Sequence, residues 1–119
     1  MSKTGNIIDF LEAGLRAEGL RQKAIASNIA NMQTPGYRSV GVKFEHILAE
    51  ALDSNGSVKL SEIEAQIHQP RTTPVKSNGN DVNLEVEIGK MVKNSLRHTA
   101  YVRMISKKYQ QMDLAINVK

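Results

Sequence analysis

Apolar residues recur at helical spacing near both ends of the chain and lose their period in between. Ile8, Leu11, Leu15, Ile25 and Ile29 share one face of a helix over residues 7–33, with Glu18 and Gln22 interrupting the stripe. Asn6 is the expected N-cap. Gly14 and Gly19 each weaken such a helix by roughly 1 kcal/mol relative to Ala, so it needs a packing partner. Thr34-Pro35-Gly36-Tyr37 stops it: Pro disfavours a helical Thr34, and Pro-Gly suits the central positions of a type II turn.

The middle, 34–82, is irregular. Phe44, Ile47, Leu48, Ala51 and Leu52 predict one short amphipathic helix over 43–53, ended by Ser-Asn-Gly-Ser at 54–57. Val58, Leu60, Ala65 and Ile67 alternate with polar residues, which predicts one or two short strands. Lys76 to Asp81, "KSNGND", predicts a turn.

The strongest pattern lies at 83–117. Ile88, Met91, Ser95, His98, Val102, Ile105, Tyr109, Met112 and Ile116 are spaced alternately by 3 and 4, a heptad seam that is polar only at Ser95 and His98. Asn83 is the expected N-cap, and Glu85 and Glu87 sit in the first turn, where the helix dipole favours them. At 1.5 Å per residue this helix is about 50 Å long, more than so short a chain can cover by itself. The predicted fold is mainly α, with long N- and C-terminal helices paired as a coiled-coil-like layer. One short helix and up to two short strands form the middle, within a single domain over 1–119. The first helix would cover part of the seam and other subunits the rest.

Composition supports an exposed architecture. Of 119 residues, 40% are hydrophobic but only 4% aromatic, a thin supply for one compact core. The net charge of +4 permits acidic partners without demanding nucleic acid. No cysteine is present, which removes disulfides, thiolate metal sites and cysteine nucleophiles. "MSKTGNIIDF" has no apolar run of signal-peptide length, so the general secretory route is not expected.

Chemistry-bearing constellations are missing from the sequence. His46, His68 and His98 lie in different elements without metal-ligand spacing, and no dinucleotide or phosphate loop occurs. Asn55-Gly56-Ser57 matches a glycosylation acceptor but reads first as a turn. No catalytic, cofactor-binding or metal residue is assigned, and an enzyme is not expected. Lys90, Lys93, Arg97, Arg103, Lys107 and Lys108 form a basic run with no acid among them. A solvated helix face, an acidic neighbouring surface, or nucleic acid would each accommodate it. A small basic helical nucleic-acid-binding regulator is therefore the alternative function, although no aromatic residues interleave the bases and no reading motif accompanies them.

The stretch "ASNIANMQTPGYRS" resembles the signature of the flagellar rod, hook and hook-associated proteins, with Ala26, Asn28, Ile29, Ala30, Asn31, Thr34, Gly36 and Tyr37 on its pattern and Pro35 inside the turn. "GNDVNLEVEIGK", from Gly79, is similar to the second motif of the proximal rod members: Gly79, Asn80, Val82, Leu84 and Glu87 match, and Ile88 replaces the usual methionine. The resemblance to the flagellar basal-body rod family implies a structural subunit of the proximal rod. It implies export without a cleaved signal through the flagellar type III apparatus, and helical stacking in the periplasm as a drive shaft for motility. The implied partners are other copies, other rod proteins, adaptor and ring proteins at the rod base, and the export gate. Phe44 and Leu48 fit the short export-gate motif of rod and hook substrates. On the residues themselves, Asn28, Asn31 and Tyr37 are expected to fix the angle between the first helix and the middle segment, or to dock on a neighbour.

Overall fold

The computed structural model describes residues 3–54 and 59–117. Its elements are α1 (Lys3–Ala30), β1 (Gly41–Lys43), α2 (Glu45–Asp53), a 3₁₀ turn (Leu60–Glu62), β2 (Gln66–His68) and α3 (Leu84–Asn117). The Asn55-Gly56-Ser57 turn and Val58 lie outside the described residues.

α1 and α3 run antiparallel along each other. Glu18 meets Asn94 and Arg97, Gly14 meets Tyr101, and Glu12 meets Tyr109. The molecule is correspondingly long and flat, 68 × 29 × 14 Å, with a radius of gyration of 17.9 Å. A compact chain of this length would have about 13–14 Å.

The other side of α1 carries the apolar core. Ala13 and Ala17 pack with Phe44, Ala51 and Ile63, and Ile47, Leu48 and Ala65 close around them. Small residues on α1 let the 3₁₀ segment approach its backbone. β1 and β2 pair antiparallel, with Val42 opposite Ile67, and lie beside this cluster as a short ribbon.

Several element boundaries differ from expectation. α1 spans Lys3–Ala30 instead of 7–33, so Asn6 is inside the helix and not its cap. α2 begins at Glu45, because 41–43 are extended and paired with 66–68. Leu60 to Glu62 forms a 3₁₀ turn, and the strand expected around it is confined to β2. Asn83 does cap α3: its Oδ1 accepts the Val86 N–H at 3.2 Å and its carbonyl accepts the Glu87 N–H at 3.0 Å.

The largest correction concerns the α3 seam. The residues of α3 that are covered are Glu87 and Asn94, with Lys90, Tyr101, Ile105 and Lys108 half-buried. The expected seam Ile88, Met91, Ser95, His98, Val102, Ile105, Tyr109, Met112 and Ile116 shares only Ile105 with that set; the others are exposed. The heptad repeat is present, but the stripe that meets α1 is displaced by one residue, about 100° around the helix. Its covered residues are mainly polar.

Gly14 explains how Tyr101 fits between the helices. A Cβ at Gly14 would lie 2.3 Å from the Tyr101 ring. We expect Gly14→Ala to destabilise the chain by about 1–3 kcal/mol through overpacking. In a Tyr101→Ala background the same change should instead stabilise by up to roughly 1 kcal/mol, the ordinary Gly-to-Ala helix gain. Urea unfolding of the four variants measures this reversal of sign; the same sign in both backgrounds contradicts the packing account.

Candidate assembly site: a polar clasp at the end of the first helix

α1 ends one residue before Asn31, and the chain reverses through Thr34-Pro35-Gly36-Tyr37. The Tyr37 N–H donates to the Thr34 carbonyl at 3.3 Å and Gly36 has φ +76°. These are the bond and the left-handed third position of a type II turn. A β-branched residue at Gly36 would be strained there.

Asn28 holds the returning strand. Its side chain is fully buried, and its Nδ2 donates to the Val40 carbonyl at 2.9 Å. Its Oδ1 accepts the Val40 N–H at 2.9 Å and the Tyr37 hydroxyl at 3.0 Å. One amide thus pairs with both backbone groups of Val40, as a neighbouring strand would, and aims the chain into β1. Asn31 works locally: its Nδ2 donates to the Ser27 carbonyl at 2.9 Å, and its Oδ1 accepts the Thr34 hydroxyl at 3.2 Å.

Residues 76–82 close the clasp from the far side. The Asn80 Nδ2 donates to the carbonyls of Asn31 at 2.8 Å and Thr34 at 2.7 Å, which also accept the Thr34 and Tyr37 N–H groups of the turn. Its Oδ1 accepts the Val82 N–H at 2.7 Å. Gly36 N–H donates to the Asn78 carbonyl at 2.9 Å, and a Cβ on Gly79 would come within 3.2 Å of the Gly36 Cα. The two chain segments touch backbone to backbone.

Asp81 adds the charge. Its carboxylate accepts the Ser39 N–H and the Arg38 Nε, the latter at 2.9 Å. Burial pushes the Asp81 carboxyl up, but the Ser39 and Arg38 hydrogen bonds and the Arg38 charge outweigh it and hold it below the ordinary aspartate value.

A second polar cluster joins the three helices. Glu18 has no solvent exposure. Its carboxylate accepts Arg21 at 2.8 Å and Arg97 at 2.7 Å, and its backbone carbonyl accepts the Asn94 amide at 2.6 Å. Arg21 also pairs with Glu45 at the start of α2. Burial pushes Glu45 up, but the Arg21 hydrogen bond, a backbone hydrogen bond and the charges of Arg21 and Arg97 together outweigh it and hold it below the ordinary glutamate value.

The residues that the sequence pattern singled out therefore separate into three places. Asn28, Asn31, Thr34, Pro35, Gly36 and Tyr37 meet at the clasp. Ile29 and Ala26 instead line a groove of about 460 Å³ with Ala30, Met91 and Ser95, between α1 and α3. Phe44 is buried in the apolar core with Leu48 against it, at the other side of α1.

This geometry coincides with a known family pattern. The family model described as flagella basal body rod protein matches residues 8–38, from the first buried turn of α1 to Arg38 in the clasp. The chain is 26% identical over 121 residues to the flagellar basal body rod protein FlgB of Bacillus subtilis (strain 168), covering 94% of both chains. It is 27% identical over 125 residues to the FlgB of Buchnera aphidicola subsp. Acyrthosiphon pisum (strain APS), covering 93% of this chain and 94% of that one. For the FlgB of Borreliella burgdorferi the figures are 26% over 109 residues, 76% and 81%. The chain is thus similar to flagellar basal body rod proteins, by the family model over residues 8–38 and by the FlgB proteins along most of its length.

In this chain the two motifs of the sequence, about 50 residues apart, are halves of one clasp. Ser39, Arg38 and Asp81 belong to it and were not assigned from the sequence; nor were Glu18, Asn94, Arg97 and Tyr101 at the helix crossing. A detectable signal existed for the crossing: Glu87, Asn94, Tyr101 and Lys108 recur every seven residues, one position before an apolar stripe. Among the described residues, no group of three acids or histidines is placed to hold a metal ion.

Two outcomes follow for the clasp. Asn80→Ala leaves the buried Val82 N–H without its partner and removes one of the two donors from each of the Asn31 and Thr34 carbonyls, and should cost about 1–3 kcal/mol in urea unfolding; a loss below about 0.5 kcal/mol contradicts the bonding described. Because the folded Asp81 carboxyl is below its unfolded value, its contribution is complete above the ordinary aspartate range and is lost as pH falls through the folded value. Denaturation midpoints of the parent chain should therefore drop more steeply on acidification than those of Asp81→Asn; parallel pH profiles contradict this.

Proposed function

We propose that this chain is a structural subunit of the proximal rod of the flagellar basal body, stacked helically with its own copies and with other rod proteins so that the rod transmits torque. Residues 1–119 act as one rod-protein domain without enzymatic chemistry. The observation that carries the proposal is the outward-facing stripe of α3. Ile88, Met91, Val102, Tyr109, Met112 and Ile116 are all exposed, Ile116 at 75%. A soluble chain seldom leaves so long an apolar stripe in water unless something covers it. The FlgB names of its relatives and the signature match favour neighbouring rod subunits as that cover.

The clasp fits this role. It fixes the exit angle of the chain from α1, so the apolar stripe keeps a constant orientation against the body of the subunit. Ser95 and His98, exposed within the stripe, are polar positions suited to fixing register between neighbours. Export through the flagellar type III gate requires the chain unfolded. Phe44 and Leu48 would then be accessible to the gate, although in the folded chain Phe44 is buried. The proposed location is the periplasmic rod, with ring and adaptor proteins at its base.

Val102→Lys tests the proposal. Val102 is 40% exposed and outside the α1 contact, so the isolated chain should keep its helix content within about 0.5 kcal/mol of parental stability. In the source bacterium the variant should abolish swimming, and purified basal bodies should lack a complete rod. Normal rods in a strain deleted for this chain contradict the proposed function; normal rods carrying Val102→Lys contradict the role of the stripe.

A further inference from the structure

Between the β ribbon and α3 lies a pocket of about 420 Å³ whose lining is basic: Arg21, Lys90, Lys93 and Arg97, with His68. Arg21 is paired with Glu18 and Glu45, Arg97 with Glu18, and Lys90 lies 3.5 Å from Glu87. Lys93 has no ion pair or hydrogen bond among the described residues. The His68 Nδ1 is buried without a partner. Lys90, Lys93 and Arg97 follow one another at three and four residues on the helix, a spacing at which like charges repel. The pocket is therefore a concave, cation-lined site in which Lys93 is uncompensated.

A complementary edge lies elsewhere on the same chain. Glu50 and Asp53 are exposed at the C-terminal end of α2, the end where the helix dipole disfavours carboxylates. Glu62 and Glu64 follow them, also exposed. Among the described residues only Glu50 of these four has an ion pair, with His46. None reaches the pocket cations of its own chain. Each surface thus carries repulsion that the other would relieve.

We propose that the basic pocket receives the acidic α2 edge of a second copy of this chain. Because two different surfaces meet, the contact is head-to-tail and repeats, giving an open stack and not a closed dimer. It deepens the rod-subunit proposal by naming a lateral contact and its polarity. The pocket and the apolar stripe of α3 are then separate contacts: one selects by charge and the other supplies buried area.

The test uses the full purified chain in sedimentation equilibrium at low and high salt. Lys93→Glu alone, and the pair Asp53→Lys with Glu62→Lys, should each weaken self-association by roughly fivefold or more. Mixing the two reversed proteins should restore association between them, and salt should weaken the parental contact. Circular dichroism must show parental helix content for all of them, which is expected because the changed residues are exposed. Undiminished association of Lys93→Glu, failure of the mixture to associate, or a parental chain that stays monomeric to millimolar concentration overturns the contact. So does pocket binding of free inorganic phosphate with no effect on self-association. Rod assembly in cells is scored separately: intact rods with Lys93→Glu defeat the contact alone, whereas intact rods without the chain defeat the rod proposal.

Discussion

A carboxylate without solvent at the crossing of α1 and α3 demands partners, and the register of the two helices follows from how Glu18 finds them. A buried charge is tolerated only when paired and hydrogen-bonded. Arg21 from its own helix and Arg97 from α3 supply charge, while Asn94 holds the adjoining backbone. Arg97 and Asn94 are three residues apart, so both face Glu18 only when α3 is rotated to one setting. That setting places Tyr101 over Gly14 and turns Val102 outward. Removing one partner of such a pair typically costs about 3–5 kcal/mol, whereas the pair as a whole contributes little net stability. Its role here is to fix register.

The clasp imposes the second constraint. A helix end leaves carbonyls unpaired, and an abrupt reversal exposes more backbone. Here side-chain amides satisfy both. Asn28 serves the two backbone groups of Val40, and Asn80 serves Asn31 and Thr34. Asparagine suits this because one side chain both donates and accepts. The angle between α1 and the middle segment is therefore set by hydrogen-bond geometry, which is directional, and not by apolar contact, which is not. In a chain with few aromatics, directionality substitutes for bulk.

How much of this was legible in the sequence depended on the range of each interaction. Local chemistry was readable: Pro35 and Gly36 announced the turn, Asn83 the start of α3, and the two-helix layout followed from periodicity. Three-residue strands were not, because Val42 and Lys43 give no usable alternation and β1 exists only through Asn28 and β2. The α1 boundaries slipped because Asn6 resembles a cap while the helix continues past it. The α3 error is the informative one. Hydrophobic periodicity locates a stripe that favours burial, but it carries no information on which surface covers that stripe. In this chain the polar residues one position earlier face α1, because Glu18 is matched by Asn94 and Arg97. The resemblance singled out residues near the turn, but it did not indicate that Asn28 and Asn80 hold that turn from opposite sides, one on Val40 and the other on Asn31 and Thr34.

A polar internal seam and an apolar external one invert the usual arrangement, and the inversion has a physical advantage if the chain assembles as proposed. If α1 covered the apolar stripe of α3, the isolated chain would be better buried and would gain little by stacking. With directional hydrogen bonds holding the two helices in register, the apolar area remains available. Its burial then contributes at about 25 cal/mol per Å² to association and not to monomer folding. The same division separates specificity from strength. Charge and amide geometry define one shape per subunit, and the apolar face, fixed in orientation by that shape, can be shared between copies at a constant angle. A repeated angle is what turns a contact between two subunits into a helical stack.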